Sequence, residues 1–483
     1  MLALGLDIGT SNVKAAVVEL DPAAAEPVRT RARASVPTPR SGAALLSDVT
    51  RVVRAVTGDA APACVGVAAM AETGVPLDAD GRPLGDLVRW DPRRAGPQAD
   101  RLAATLGRDS LVRATGVRPS GKVPLATWAY LREHEPERWA AMHRWAGVAD
   151  LVVHALTGRL VTDHTLAGRT MAYRPRLDGA TTPTEFDADL LAAVGMTPDQ
   201  LPRVADPRGI AGTVAPDAPL GGLLPPGTRV AVAGHDHPVG AWAAGVRAPD
   251  DVADSIGTAE AVLRVVHAAP DALTVAGAGM SLVRTVDGTY PALLAGSSSA
   301  GAVVHWWAEQ HADQEDLADL LERAARLPPA RPGLLVLPYL TGRQTPAPDP
   351  EARLRVLGDP ADADAVERAR GLLDGLSLHA RWMLTEQAHL AGADPAARQV
   401  VVLGSAAAPG SPWLRSKAAA GPARLRTVTE PEPVAAGAAL LAAWRAGLSG
   451  PSVLPAEPAP VAPDRAYDDL YARFVRAATE PGS

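Results

Sequence analysis

The first eighteen residues, MLALGLDIGTSNVKAAVV, constrain this chain more than any other stretch. Leu2, Leu4, Leu6 and Ile8 alternate with smaller or polar residues, and Val13, Ala15 and Val17 do so again after Gly9-Thr10-Ser11-Asn12. A period of two on both sides of a polar interruption predicts a hairpin of two half-buried strands. Glycine at position 9 is expected to allow a turn closed to other residues, so that N–H groups and the Thr10, Ser11 and Asn12 side chains converge on one anion, most naturally a phosphate. Asp7 ends the first strand beside that tip. A carboxylate there repels bare phosphate but holds a hydrated divalent cation that bridges to it. The set therefore suggests binding of a metal–nucleotide, with an ordinary Gly-Thr-Ser hairpin turn as the competing reading.

Half a chain later the pattern returns. Asp254-Ser255-Ile256-Gly257-Thr258-Ala259-Glu260 is followed by Ala261-Val262-Leu263-Arg264-Val265-Val266, and Ile-Gly-Thr again closes a short apolar strand. Two halves that each open on strand, Gly-Thr turn and strand suggest a duplicated domain gripping one nucleotide from both sides. Length allows this: 483 residues fit about two to four domains, and 47% apolar with 21% charged residues is ordinary globular material. A net charge of −7 and the lack of a long basic run argue against a nucleic-acid or anionic-membrane surface. No apolar stretch approaches the roughly 20 residues that span a bilayer, and Asp7 falls where a signal peptide would be apolar. Cys64 is the single cysteine, which excludes an intramolecular disulfide and a cysteine-built metal site. The expected location is cytoplasmic.

Along the first half, residues 22–62 predict an edge strand and an amphipathic helix over 43–56. Val65 to Met70 reads as a short buried strand, with Glu72 at the mouth of the following loop, where α/β folds place ligand contacts; a solvated loop glutamate is the alternative. Arg89-Trp90-Asp91-Pro92-Arg93 combines an aromatic face, a carboxylate and a guanidinium, which suits a polyhydroxylated ligand; a structural salt bridge is the alternative. Residues 99–145 read as mostly helical, with Trp128, Leu131 and Trp139 in the core, and Asp150–Leu156 as a helix stopped by Gly158. Thr162 to Thr170 is small and polar, as a ligand-lining loop would be. Val230–Ala233 is a strand running into Gly234-His235-Asp236-His237, with a helix expected from Gly240.

Asp236 stands out, because a carboxylate at a strand end just before the second half can take a proton from a substrate hydroxyl. His235 and His237 invite a metal reading, but side chains two apart on an extended chain diverge and no third ligand is evident. In the second half, Gly296 to Gly301 opens a helix carrying His305, Leu372 to Leu390 marks a long helix face, and Val400–Leu403 is a strand turned by Gly404-Ser405-Ala406 into a platform for a flat base. A last clear helix spans 433–444, before a proline-rich tail over 450–464 and a short amphipathic helix.

These ordered motifs together resemble the FGGY family of carbohydrate kinases, within the actin-like, hexokinase-like and heat-shock-protein-like ATPase superfamily, over nearly the whole chain. The resemblance implies an α/β fold of two actin-like (ribonuclease H-like) domains, 1–245 and 246–483, with a ligand cleft between them. It implies ATP-dependent phosphorylation of a hydroxyl of a small sugar, polyol or sugar acid. Asp236 falls where these kinases carry the catalytic base. Gly9, Thr10, Ser11 and Asn12 resemble the first phosphate motif and Gly257 with Thr258 the second; Gly301 and His305 fall in the helix beside the nucleotide, and Gly404 and Ser405 in the adenosine-binding end with Glu432 to Ala443. Glu72, Trp90, Asp91, Arg93, Asp163 and Asp236 are the expected substrate contacts, and Asp7 and Asp236 the expected support for Mg²⁺. The implied partners are the sugar or polyol and ATP, with no nucleic acid and no membrane, and a homodimer is allowed for.

The sequence also departs from the family pattern. Gly342-Arg343-Gln344-Thr345-Pro346 stands where many members have Gly-Glu-Arg-Thr-Pro, Gly404-Ser405-Ala406-Ala407 replaces a glycine run, and Met70-Ala71-Glu72 replaces the Gln-Met-His of xylulose kinases, so xylulose is not the first substrate expected. No GxxxxGK[ST] motif supports a Walker-type kinase. Gly277-Ala278-Gly279-Met280-Ser281-Leu282 lacks the last glycine of a dinucleotide fingerprint. A chaperone would need a peptide-binding domain after residue 440, and the remaining alternative is a catalytically silent sugar- or nucleotide-binding regulator on the same fold.

Overall fold

A computed structural model describes residues 1–179, 181–298, 300–311, 316–329, 334–358, 362–396, 398–404, 406 and 408–480. The chain divides into two compact units: Met1–Gly245 with Leu282–Pro291 and Glu432–Leu454, and Val246–Ser281 with Ala292–Pro431 and Pro455–Ser483. The expected division fell at residue 245; two short later segments also join the first unit.

The first unit is built on a mixed sheet. Strands β1 (Leu2–Ile8) and β2 (Asn12–Leu20) form the expected hairpin, Leu6 opposite Ala15 and Asp7 opposite Lys14. The edge strand β3 (Val28–Pro37) pairs with β2, while β4 (Cys64–Ala69) runs parallel to β1, and the strand Arg229–His235 runs parallel to β4. β1 and β4 are buried along almost their whole length, as central strands covered on both faces must be. One face packs on helix α1 (Gly42–Thr57), whose Ser41 hydroxyl accepts the Ala44 N–H at 3.2 Å and whose Leu45, Val49, Val52, Val53 and Val56 point inward at helical spacing. The opposite face takes the helix Pro433–Arg445. Its alanines let it lie directly on the sheet: a Cβ added to Gly5 would sit 1.8 Å from the Ala435 carbonyl oxygen, and one on Gly66 2.0 Å from that of Ala438. Gly5 and Gly66 are cross-strand partners, so the contact is a single flat patch.

Other elements depart from the sequence reading. Trp145, read with the helices, lies on a strand Arg144–Gly147 paired antiparallel to Gly74–Leu77, an arrangement fixed by a partner far away in sequence. The small polar tract over 162–170 is a buried turn of helix, His164–Ala167, rather than an open loop. The helix expected from Gly240 starts at Asp236. Helix Val148–Thr157 ends at Gly158 in the left-handed region, as expected.

In the second unit the hairpin Val252–Ile256 and Glu260–Val265 is flanked by Pro291–Ser297 on one side and the parallel strands Val400–Leu403 and Leu425–Val428 on the other. The long helix Ala365–Ala391 is tied to this sheet by Gln387, which donates to the carbonyls of Val262 and Leu293 at 2.9 and 3.2 Å. The proline-rich tail contributes an edge strand, Ala456–Pro458, a place where the missing proline N–H is tolerated. Among the described residues no helix is long and apolar enough to cross a membrane.

Two stability predictions follow. Gly66→Val should lower the unfolding free energy by about 3 kcal/mol or more, because backbone of the covering helix has to move. Gly96→Ala, where an added Cβ meets nothing within 4 Å, should be neutral or mildly stabilising; equal effects of the two would refute the packing. Asp150 is the second case: it is buried, its Oδ2 accepts the Gly147 N–H at 2.8 Å, and its Oδ1 has no partner. Burial pushes its carboxyl up to about 7 from 3.8. The raised value means stability is full below the unfolded-state value and is lost as pH rises through 7. Asp150→Asn should therefore gain on the wild type in melting temperature between pH 5 and 8, and a pH-independent difference would count against this burial.

Candidate active site

The hairpin tip of the first unit is closed by Gly9 N–H donating to the Asn12 carbonyl at 2.9 Å, and it is tied to the segment after β3 by Thr38, whose hydroxyl donates to the Gly9 carbonyl at 2.7 Å. Thr10 and Ser11 are exposed and Gly9 and Asn12 half-buried. Neither Gly9 nor Gly257 has a positive φ, so the expectation of a turn closed to other residues is corrected. A Cβ at Gly9 would meet only the Asn12 carbonyl, at 3.3 Å. What glycine leaves at the tip is bare backbone that an anion can approach.

Asp7 lies just before this tip, 7% exposed, with Oδ1 lacking any partner. Burial and then the negative charge of Asp236 raise its carboxyl to about 7, against the pull of Lys14 across the hairpin. Lys14 is itself shared with Glu432, at 2.6 Å. An orphaned oxygen on a buried carboxylate that a second carboxylate repels is a seat that a divalent cation satisfies.

Asp236 arrives through a defect in its strand. The pairing of Arg229–His235 with β4 slips by one residue between Val232 and Gly234, and Gly234 takes φ 128°, where a side chain would strike Thr165 Oγ1 and Asp163 Oδ1 at 2.6 and 2.8 Å. The strand then converts directly into the helix Asp236–Ala243, whose first residue is the acid. This switch corrects the expectation that His235 and His237 diverge. His235 Nε2 lies 3.1 Å and His237 Nε2 3.8 Å from Asp236 Oδ1, the rings are edge-to-face at 5.3 Å, and the three residues offer ligand atoms within 4.8 Å of one another. Strand alternation no longer governs side-chain direction where a helix begins. Burial alone would raise the Asp236 carboxyl, but the flanking histidines and the His237 N–H, 2.7 Å from Oδ1, more than offset it and hold the group well below the usual range. Burial lowers the proton affinity of His237.

The strand end is held from behind by Asp163, which is fully buried and caps its own short helix. Its Oδ1 accepts Thr165 N–H and Oγ1–H at 2.7 and 2.5 Å, Thr165 Oγ1 accepts the His235 N–H at 2.9 Å, and Arg445 reaches Oδ2 at 3.0 Å. Every part of that carboxylate faces protein.

Of the other expected contacts, Trp90 is 41% exposed, and its indole N–H points to Thr10 Oγ1 at 3.4 Å. Asp91 accepts the Arg93 N–H at 2.8 Å in a local turn, which answers the salt-bridge alternative with a backbone bond. Glu72 has φ 68°, rare for a side-chain-bearing residue and a mark of strain commonly kept for function. It pairs with Arg169 at 2.7 Å and faces Lys122 at 3.9 Å. Neither cation carried a local sequence signal, since Arg169 meets Glu72 across 97 residues.

In the second unit, the tip Gly257–Thr258 is clamped by the helix Gly301–His311, whose Gly301 and Ala302 N–H groups donate to the Gly257 and Thr258 carbonyls at 3.1 and 3.2 Å. A Cβ on Gly301 would meet the Gly257 oxygen at 2.6 Å. Thr258 and His305 are exposed. Gly404, at φ 109°, comes within 2.2 Å of the Ile256 carbonyl measured from an added Cβ. Ser405 lies outside the described residues. Beneath the hairpin, Lys417 bonds both Asp254 and Glu260, all three buried. Burial, eased by Lys417 and reinforced by Asp254, raises Glu260 to about 8. Two acids in apolar strands and a lysine among alanines are the signal by which this cluster could have been found, and the sequence reading passed over it. Arg343, the departure in the Gly-Arg-Gln loop, spends its guanidinium on the carbonyls of Pro346, Ala347 and Ala478 and lies over Tyr339 and Trp382.

Residues 2–243 match the N-terminal domain of the FGGY family of carbohydrate kinases and residues 252–446 its C-terminal domain. The chain is 31% identical to the xylulose kinase of Streptomyces rubiginosus over 56% of its length and 55% of that enzyme, so this match spans about half the relative. It is 25% identical to the xylulose kinase of Bacillus subtilis over 77% of its length and 72% of that enzyme. Among solved structures, gluconate kinase from Lactobacillus acidophilus superposes with a TM-score of 0.84 at 19% identity, covering 100% of this chain and 99% of that one. Plasmodium falciparum glycerol kinase with ADP does so with 0.81 at 14%, covering 99% and 97%. The two family domains together cover most of the chain, and it belongs to the FGGY family of carbohydrate kinases, ATP-dependent enzymes that use Mg²⁺.

Proposed function

We propose that this chain transfers the γ-phosphoryl group of MgATP to a hydroxyl of a small sugar, polyol or sugar acid in the cytoplasm, with Asp236 as the general base. The observation that carries the reading is the delivery of Asp236, ionised and held by two histidines, to a helix start within electrostatic reach of the orphaned Asp7 carboxylate. Phosphoryl transfer asks the protein mainly to align a hydroxyl, receive its proton and offset charge on the phosphoryl oxygens. An aspartate with low proton affinity suits this, because the attacking hydroxyl becomes strongly acidic only as its bond to phosphorus forms.

Other residues take supporting parts. Thr10 and Ser11 offer exposed hydroxyls and N–H groups to a phosphate in the first unit, and Thr258 does so in the second. Asp7 holds Mg²⁺, which when bound neutralises charge on the phosphate oxygens. Trp90 offers its exposed ring to the acceptor, and Glu72, on a strained loop, holds Arg169 beside it. Asp163 acts at one remove, fixing the Gly234 bulge through Thr165.

Asp236→Asn keeps the shape and cannot take the proton. It should lower kcat by about 10²- to 10⁴-fold while ATP affinity, read by calorimetry, changes little; near-wild-type kcat would remove Asp236 from the role. Asp7→Asn should raise the Mg²⁺ concentration giving half-maximal rate by about tenfold or more, the loss expected when a charged ligand becomes neutral. An unchanged Mg²⁺ dependence would place the cation elsewhere.

A further inference from the structure

Around Glu72 the charges of the first unit do not balance. Its carboxylate is the acid of a cluster whose cations are Arg169, in contact at 2.7 Å, Lys122 at 3.9 Å, and Arg118, whose charge is felt at Lys122. Arg169 is 6% exposed, and while Nη2 is bonded to Glu72, Nη1 is buried with no partner. Lys122 keeps 24% of its side chain exposed, so it can meet a solute. Arg118 has a second guanidinium, Arg108, as its charged neighbour. Glu72 is the largest single influence on Lys122 and favours its charge, but burial together with Arg169 and Arg118 outweighs it and lowers the proton affinity of Lys122. The cluster also borders the proposed base, since the charges of Arg169 and Glu72 are both felt at His237.

A neutral polyol does nothing for this excess. It offers hydroxyls that Glu72 could accept, but Glu72 is already taken up by the cations, and an unpaired buried guanidinium N–H stays costly. A carboxylate answers both needs at once: one oxygen can accept from Arg169 Nη1 and the other from Lys122 Nζ, in the charge-assisted manner that favours arginine wherever carboxylates are recognised. We infer that the acceptor is a sugar acid, an aldonate whose carboxylate is held by Arg169 and Lys122 on the Glu72 loop while one of its hydroxyls faces Asp236. This rests on the kinase reading above and narrows it from any small sugar to an anionic one. Glu72 then acts as a positioning residue that keeps Arg169 in place.

The full chain with MgATP is assayed against aldonates of five and six carbons and against alditols and ketoses of the same lengths, and binding of each is read separately by calorimetry in the presence of ADP. The expected result is a kcat/KM for the best aldonate about 100-fold or more above that of its alditol, with Lys122→Gln cutting this ratio about tenfold, mainly through KM, and Arg169→Lys cutting it further. Lys122 is partly exposed, so its variant folds even where an Arg169 variant does not. A neutral acceptor preferred in turnover and binding overturns the inference and leaves the kinase reading standing. Aldonate binding lost in Lys122→Gln, without turnover in the wild type, upholds the carboxylate site and removes the phosphotransfer reading. No aldonate binding at all, or binding indifferent to Lys122→Gln, overturns the inference.

Discussion

Repulsion between two carboxylates, Asp7 and Asp236, is the constraint on which the first unit's site depends. Asp7 lies one residue before the end of β1 and Asp236 one residue past the end of the Arg229–His235 strand; the first is buried, the second half-buried, and the charge of Asp236 is felt at Asp7. In an interior of low effective dielectric such a pair is costly unless something separates its fates. Here the surroundings do so. The two histidines and a helix start keep Asp236 ionised, whereas burial leaves Asp7 near the point of holding a proton. In the function proposed above, Asp236 is the carboxylate that receives a proton and Asp7 the one that exchanges its own for a cation. The same sheet supplies both because β4 runs parallel between them, next to β1 and to the Arg229–His235 strand.

That arrangement is kept by features remote from chemistry. The helix Pro433–Arg445 can press on β1 and β4 only because both strands carry glycine at the contact, and its last residue, Arg445, extends to Asp163 and so to the bulge that aims Asp236. In the second unit the corresponding hairpin has its own support, a buried lysine between two acids and a helix start clamped on the turn. Each tip presents small exposed residues and is made rigid by buried charge and close backbone packing.

Much of this was legible in the sequence where the signal is local. Alternation fixed the β1–β2 hairpin and its echo at residue 257, glycine at 158 marked a helix end, and the apolar spacing over 372–390 marked the long helix. The positions of Asp7 and Asp236 at strand ends were readable for the same reason. What escaped was set by distant partners: Trp145 on a strand made by residues 74–77, Asp163 turned inward by an arginine 282 residues away, and Lys122 and Arg169 gathered at Glu72. The histidines beside Asp236 were misjudged because strand geometry was extended across a point where the chain becomes helix. Gly9 was credited with a turn closed to other residues, whereas its use is steric openness.

The central claim is that Asp7 and Asp236 form one electrostatic unit, and the carboxyl carbon of Asp7 reports on it directly. Followed by NMR in aspartate-labelled protein across pH 4 to 9, Asp7 should titrate near 7 in the metal-free wild type. In Asp236→Asn the value should fall by the share that the neighbouring charge supplies, burial keeping the remainder, and Mg²⁺ with ADP should lower it further. A carboxyl that titrates at the ordinary value of about 4 in the metal-free wild type, or one that does not respond to Asp236→Asn, would contradict the account.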